Sequence, residues 1–304
     1  MKIGITGSTG LIGTALIETL TAAGHQAVPF IRSKEAVNGS VRWSPKDRVV
    51  NQDDITAVGG VDAVVHLAGA GIADKRWTSQ RRREILESRV LGTETLAQWI
   101  AGTPEPPSVF LSGSAIGFYG NRGDDVLDEE SDGGTGFLAD VCRAWEAPAA
   151  AVTRSGVRVT VLRTGIVMSP RGGALKKQLP LFRAGLGGRL GSGRQWSSSI
   201  SLRDTTAALL HLITHPVNGP VNLVAPEPAR NRDVTSALAK AVHRPALFPV
   251  PPVALAFALG KDCAEEMLLA SQRIVPRRLL ESGFTFHDHT IEAIAEWACS
   301  DAAR

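Results

Sequence analysis

The chain has 304 residues, 43% of them hydrophobic and 21% charged, and a formal net charge of +3. It is long enough to bury one large or two modest cores, and its small charge, with no Lys/Arg block interleaved with aromatics, argues against a nucleic-acid partner. Cys142, Cys263 and Cys299 are odd in number and far apart, which excludes a disulfide framework and a metal site; no apolar run reaches the roughly 18 residues of a membrane span, and no signal peptide fits ahead of a strand that starts at residue 2, so a cytoplasmic, reducing compartment is expected.

The chain opens MKIGITGSTGLIG. A short apolar strand, Lys2 to Thr6, runs into Gly7, Ser8, Thr9, Gly10, Leu11, Ile12 and Gly13, and a helical pattern follows at once. Strand, glycine turn and helix in that order predict a dinucleotide site. Gly7 permits the tight turn, Gly10 lets a pyrophosphate approach the backbone, and Gly13 lets the helix pack close. The helix N-terminus then offers its free N–H groups to phosphate.

Gln26 to Ile31 is the second expected strand and Val41 to Trp43 a short third. Arg32 and Ser33 follow the second strand, with Arg32 19 residues past Gly13. An acidic residue about 20 residues on would bind a ribose 2′-hydroxyl; a guanidinium there matches a 2′-phosphate instead. The expected cofactor is therefore NADP(H). Val61 to Leu67 is apolar with almost no alternation, as in a parallel strand covered on both faces. It ends at Leu67, Ala68 and Gly69, small enough to pass under a cofactor. His66 within it is expected to be a packed core residue. Ser79 to Ile100 is a long amphipathic helix.

Val109 to Ser112 is the next strand, and its end carries Ser114 and Tyr119, the chain's single tyrosine. Hydroxyls there are candidates to polarise a carbonyl or move a proton. Phe137 to Ser155 is expected as one helix and Val157 to Leu162 as a sixth strand. The alternation predicts an α/β, Rossmann-type, doubly wound parallel sheet. Beyond Arg163 the texture changes to glycine-rich loop. Asp204 to Thr214 returns to helix and Gly219 to Val224 to strand. Helices are then expected at Asn231 to Val242, Val253 to Leu259, Cys263 to Ile274 and Thr290 to Cys299. The expected division is a nucleotide-binding domain over 1–170 plus about 203–225, and a smaller C-terminal cap from 171–202 and 226–304.

The glycine turn, HLAG at the fourth strand, SGSAIGFYG and VLRTGIV together resemble the extended short-chain dehydrogenase/reductase superfamily. RWTSQRRREILESRVLGT, GSAIGFYGNRGD, WEAPA, LRTGIVMSPRGGAL, GSGRQW and PRRLLESGFTF resemble more narrowly its atypical NAD(P)-binding epimerase branch, short-chain dehydrogenase family 39U in animals. The resemblance implies an oxidoreductase or epimerase using NADP(H), with Arg89 at the cofactor and a substrate near Trp77, Arg163, Gln195 and Trp196. The small-molecule substrate is unidentified, a carbonyl or hydroxyl compound or a nucleotide-sugar-like molecule, and a monomer or homodimer is expected. Two departures stand out. Most of the superfamily carries a Tyr, as acid/base, and a Lys four residues later on the helix that starts near Phe137. Here those positions fall on Leu138 and Cys142, or in the neighbouring register on Phe137 and Val141, as the branch itself lacks the pair. The branch usually has a Trp and a His where this chain has Ser199 and Ser201, with Asp204 retained. An NADP(H)-binding regulator without turnover is the competing expectation.

Overall fold

A computed structural model describes residues 1–152, 156–300 and 303. In chain order come β1 (Lys2–Thr6), α1 (Leu11–Ala22), β2 (Gln26–Ile31), β3 (Val41–Ser44), β4 (Val49–Val50), α2 (Gln52–Ala57), β5 (Ala63–His66), α3 (Ser79–Gly102) and β6 (Val109–Ala115), of which β4 and α2 have no counterpart in the expected elements. A 3₁₀ turn over Ile116–Tyr119, β7 (Val126–Leu127), α4 (Phe137–Glu146), α5 (Ala149–Val152), β8 (Arg158–Thr164), β9 (Ile166–Met168) and α6 (Gly173–Arg183) follow. Then come β10 (Trp196–Ser197), β11 (Ser199–Ser201), α7 (Leu202–Thr214), β12 (Gly219–Leu223), β13 (Ala229–Arg230) and α8 (Asn231–Ala241). The chain closes with α9 (Pro252–Leu259), α10 (Lys261–Ala264), a π turn over Glu265–Leu269, β14 (Arg273–Ile274), α11 (Arg277–Glu281) and α12 (Ile291–Cys299).

The central sheet, among the described residues, has the order β12-β8-β6-β5-β1-β2-β3-β4. Its pairings are parallel except for β3 with β4. Strand order reverses beside β1, where α/β sheets open a crevice for ligands. One face packs Ile3, Ile5, Val65 and Leu111 against Leu16 and Leu20 of α1 and Leu209 and Leu212 of α7. The other packs Val64 and Phe110 against Leu96 and Ile100 of α3. Covering on both faces is why β5 reads as an unbroken apolar run.

Two expected helices differ. Phe137 to Ser155 is interrupted after Glu146, because Pro148 supplies no N–H and its ring crowds the preceding turn; positions 153–155 lie outside the described residues. Cys263 to Ile274 ends early. Its last residues leave the helix to pair as β14 beside β7, Ile274 against Leu127, so tertiary pairing overrides the helical pattern. A third core cluster joins Leu175 and Phe182 of α6, Leu238 of α8 and Ile294 of α12. Leu279, Phe284 and Phe286, assigned by sequence to the cap segments, lie instead in the core of the sheet's α1 face.

Candidate functional site

The glycine turn is built by steric necessity. Gly7 has φ +69°, and a Cβ there would lie 2.9 Å from the Leu67 carbonyl carbon. A Cβ on Gly13 would fall 2.2 Å from the Gly7 carbonyl oxygen, so α1 can start this close to the turn only with glycine. At Gly10 the nearest such atom, Gly7 O, is 3.2 Å away. Gly10 is the N-cap of α1 and provides no side-chain cap. Asn51, Thr78, Ser201 and Thr290 cap α2, α3, α7 and α12, while α6, α8, α9, α10 and α11 share with α1 the lack of a side-chain cap. The uncapped end leaves first-turn N–H groups and the positive pole of the helix facing outward beside an exposed Gly10, which fits a pyrophosphate. Ser8 and Thr9 shape the loop, with Ser8 O accepting from Thr14 Oγ1 at 3.2 Å. Leu11 packs along Gly172, and Ile12 joins the core.

Arg32 and Ser33 are exposed at the end of β2. Among the described residues Arg32 makes no hydrogen bond or ion pair, while Ser33 Oγ accepts from Glu35 N at 3.1 Å. The β5 end is held to β1 by Thr6, whose hydroxyl accepts from Leu67 N at 3.1 Å and Ala68 N at 3.3 Å and bonds His66 Nδ1 at 2.7 Å. His66 is fully buried, and burial first, then the Arg89 charge, drive its pKa down to about 3. Arg89 reaches back from α3 and donates to the carbonyls of Ala70 at 2.9 Å and Ile85 at 3.1 Å. Its guanidinium lies 4.8 Å from the Trp145 ring centre and against Gly69. Burial lowers its pKa to about 10.

Beyond that crossing lie two compartments that share Ile116, Ile166, Met267 and Gln272 in their walls. The first, about 130 Å³, is bounded by Arg89, Ala115, Leu138, Cys142, Trp145 and Glu266. The second, about 80 Å³, is bounded by Gln178, Gln195, Trp196, Ser199 and Asn231. A larger open concavity of about 400 Å³ beside Arg189 and Arg232 has none of these residues in its walls. Leu138 and Cys142, the positions where the superfamily's pair would stand, thus face the first compartment with an alkyl chain and a thiol. Burial pushes the Cys142 thiol up to about 11, with the Glu146 charge adding to it.

Ser114 is 4% exposed and lines neither compartment itself; it stands next to the Ala115 wall of the first and donates to Glu146 Oε1 at 2.6 Å. Arg163 binds the same carboxylate through Nε and Nη2, both at 3.0 Å. The expectation that Arg163 contacts substrate is corrected: its guanidinium is buried, stacked 3.5 Å from the Phe118 ring centre and spent on Glu146 and Tyr119. Tyr119 is corrected too. Its side chain is fully buried, and its hydroxyl donates to Asn222 Oδ1 at 2.7 Å and accepts from Arg163 Nη1 at 3.1 Å. Burial raises the phenol's pKa against the pull of Arg163. It has neither the exposure nor a free proton for the catalysis expected of it.

Trp77 also stands apart from both compartments. It donates to Ile72 O at 3.0 Å and meets Phe137 edge to face. Gln195 and Trp196 do reach the second compartment, with Trp196 Nε1 donating to Asp124 at 2.7 Å. Of the two serines that depart from the branch pattern, Ser201 caps α7 through Asp204 N at 3.2 Å. The sequence missed Glu266, whose carboxylate caps α4 by accepting from Phe137 N at 3.1 Å and Leu138 N at 2.8 Å. It missed Gln272 as well, which donates to the carbonyls of Ile116 and Gly120, both at 3.0 Å. Both partnerships span more than a hundred residues, and no local pattern signals them.

A parallel sheet with an uncapped glycine turn at its point of strand reversal defines a Rossmann-like fold of the extended short-chain dehydrogenase/reductase kind. The chain belongs to the NAD dependent epimerase/dehydratase family, whose model matches residues 3–225. Residues 250–298 match a domain of unknown function, DUF1731. The chain is 42% identical over 290 residues to Epimerase family protein Mb2239 of Mycobacterium bovis, covering 95% of this chain and 94% of that one. It is 33% identical to human Epimerase family protein SDR39U1, covering 94% and 95%. The crystal structure of human SDR39U1 with NADPH superposes with a TM-score of 0.90 at 32% identity, over 99% of this chain and 100% of that one. A nucleoside-diphosphate sugar epimerase from Corynebacterium glutamicum gives 0.77 at 35% identity, over 100% of this chain but 60% of that one. Among the described residues no helix is long and apolar enough to cross a membrane.

Proposed function

We propose that this chain binds NADP(H) along the glycine turn and, with it, oxidises or reduces a small alcohol or carbonyl compound in the paired compartments. The observation that carries the reading is the uncapped N-terminus at Gly10 together with Arg32, a guanidinium at the end of β2 without a partner among the described residues. NADPH bound by the similar human protein supports the choice of NADP(H) over NAD(H). Gly7 to Gly13 would hold the pyrophosphate, Arg32 and Ser33 the 2′-phosphate, and Leu67 to Gly69 with Arg89 the far ribose, leaving the nicotinamide at the 130 Å³ compartment. The cofactor supplies hydride chemistry there.

The chain's part is to hold the substrate oxygen and its proton. Ser114 has one O–H, and it is directed at Glu146. Ser114, next to the Ala115 wall, would therefore meet a substrate hydroxyl as an acceptor. A proton arriving on Ser114 displaces its own toward Glu146, and the reverse returns it. Arg163 keeps the carboxylate oriented for both directions.

A second reading has its own observation. Leu138 and Cys142 replace the superfamily's acid/base pair, and Tyr119 does not reach the cleft, so the pocket favours cofactor binding over proton transfer. Such a chain would report NADP(H) without turnover. Fluorescence titration with NADPH, then turnover against a panel of alcohols and carbonyls, separates the two. Binding with no turnover across the panel favours the regulator, and no binding overturns both.

A further inference from the structure

We infer, on the basis of the NADP(H) chemistry proposed above, that the substrate is a small uncharged molecule with one hydrogen-bonding group seated on Ser199, and not a nucleotide-diphosphate sugar. Ser199 lies on β11, which runs parallel to β9 in register with Ile166, a wall shared by both compartments. Its backbone carbonyl accepts from Ala225 N at 2.8 Å, which fixes the residue in place. Ser199 is 6% exposed and borders the second compartment, and its hydroxyl oxygen is buried at that border with no hydrogen-bond partner among the described residues. A buried hydroxyl without a partner is costly and uncommon. The adjacent Ser198 shows the alternative, with Oγ donating to Gln272 O at 2.9 Å and accepting from Ile274 N at 3.0 Å.

The rest of the wall complements that hydroxyl. Gln195 spends its amide nitrogen on the carbonyls of Leu190 and Leu268, both at 3.1 Å. Its carbonyl oxygen accepts no hydrogen bond among the described residues and remains for a ligand. Met168, Leu190, Val234 and Met267 supply apolar surface. No Lys, Arg, His, Asp or Glu lines this compartment among the described residues. Arg163 is committed to Glu146. Arg230 and Arg273 stack on the Trp196 ring at 4.4 and 4.5 Å, outside the lining, and Arg230 pairs with Asp124 at the surface. A diphosphate inside this compartment would therefore lose its hydration with no cation in the lining to replace it. Size points the same way. The compartments measure about 130 and 80 Å³, against roughly 300–1,000 Å³ for sites that hold drug-sized ligands. With a nicotinamide in the first, the second takes only a few carbon atoms and one alcohol, ketone or amide group.

The test uses the full chain loaded with NADP⁺, saturation-transfer NMR, and three probes: butan-2-ol, butan-2-one and UDP-glucose. The four-carbon probes are expected to receive saturation and UDP-glucose is not. Ser199→Ala is expected to weaken the four-carbon probes by about three- to tenfold, as for one lost hydrogen bond. Ser199→Leu, which fills the space, is expected to abolish their signal, while both variants bind NADPH as the parent does. If Ser199→Leu does not unfold cooperatively, Ser199→Ala alone decides. Saturation of UDP-glucose, silence of both small probes on NADP⁺-loaded protein, or equal binding by parent and Ser199→Ala would each overturn the inference. Failure of the parent chain to bind NADPH would instead overturn the reading beneath it.

Discussion

Tyr119 and Arg163 meet inside the protein, hydroxyl to guanidinium at 3.1 Å, with Asn222 accepting the phenol's proton on the other side. The contact joins the end of the β6 segment to β8 and β12, and through Arg163 it steadies the carboxylate that holds Ser114. Tyr119→Phe is therefore expected to act on stability. It leaves the Asn222 carbonyl and one Arg163 donor unpaired in a buried site, at a cost of about 1–3 kcal/mol. Urea unfolding should show that loss while NADPH affinity stays unchanged. A variant as stable as the parent would mean that the chain Tyr119–Arg163–Glu146 is not coupled.

The two inner glycines should separate folding from binding. Gly13→Val places atoms where the Gly7 carbonyl already stands, and overpacking of that kind costs about 1–3 kcal/mol or more. Gly10→Ala has only a 3.2 Å contact to relieve, so its melting temperature should move little while NADPH binding weakens. Normal NADPH binding by Gly10→Ala would show that the phosphates lie elsewhere.

Arg32 is the proposed selector between the two nicotinamide cofactors. Removing one charge-assisted bond is expected to weaken NADPH by about tenfold or more and to leave NADH nearly unchanged. Isothermal titration of Arg32→Ala with each cofactor measures this. Equal losses for both would assign the discrimination to another residue.

His66 predicts a pH dependence with a definite sign. The unfolded imidazole titrates near 6.5 and the folded one near 3. Between those values the unfolded chain takes up a proton that the folded chain refuses, so stability falls as pH drops from 6.5 toward 3 and is flat with respect to this group above 6.5. The slope is at most about 1.4 kcal/mol per pH unit. The difference between parent and His66→Asn in urea midpoint, followed from pH 7 to pH 4.5, isolates the effect. A difference that stays constant with pH would rule it out.

What was legible in the sequence was local. The glycine turn, the β5 run and the strand–helix alternation each express their geometry within about a dozen residues, and the sheet follows from them. The site's far wall is another matter. Glu266 caps a helix that starts at residue 137, and Gln272 holds the turn that follows β6, so their roles arise only when distant segments meet. Tyr119 misled for a physical reason. It does follow the serine strand, but the 3₁₀ turn over Ile116–Tyr119 rotates its side chain into the cluster with Leu127, Val224 and Ile274, away from the cleft. Ser199 and Ser201 look alike in sequence. Ser201 caps α7 because it is the last residue of β11, directly before the helix, whereas Ser199 at the start of β11 borders the second compartment.

The placement of Leu279, Phe284 and Phe286 in one core with Ile3 and Ile5 sets the order of events during synthesis. The first strand leaves the ribosome almost a whole chain length before the side chains that finish covering its face. Contacts of such sequence separation are slow to close, and until they do the α1 face stays partly wet and exposed to off-pathway association. Val275, reached by Asn222 Nδ2 at 3.1 Å, likewise arrives only after the sheet's last strand has been made. A nascent chain stalled after residue 225 would be a sticky intermediate, and native protease resistance should appear only once the stretch through Phe286 has been released.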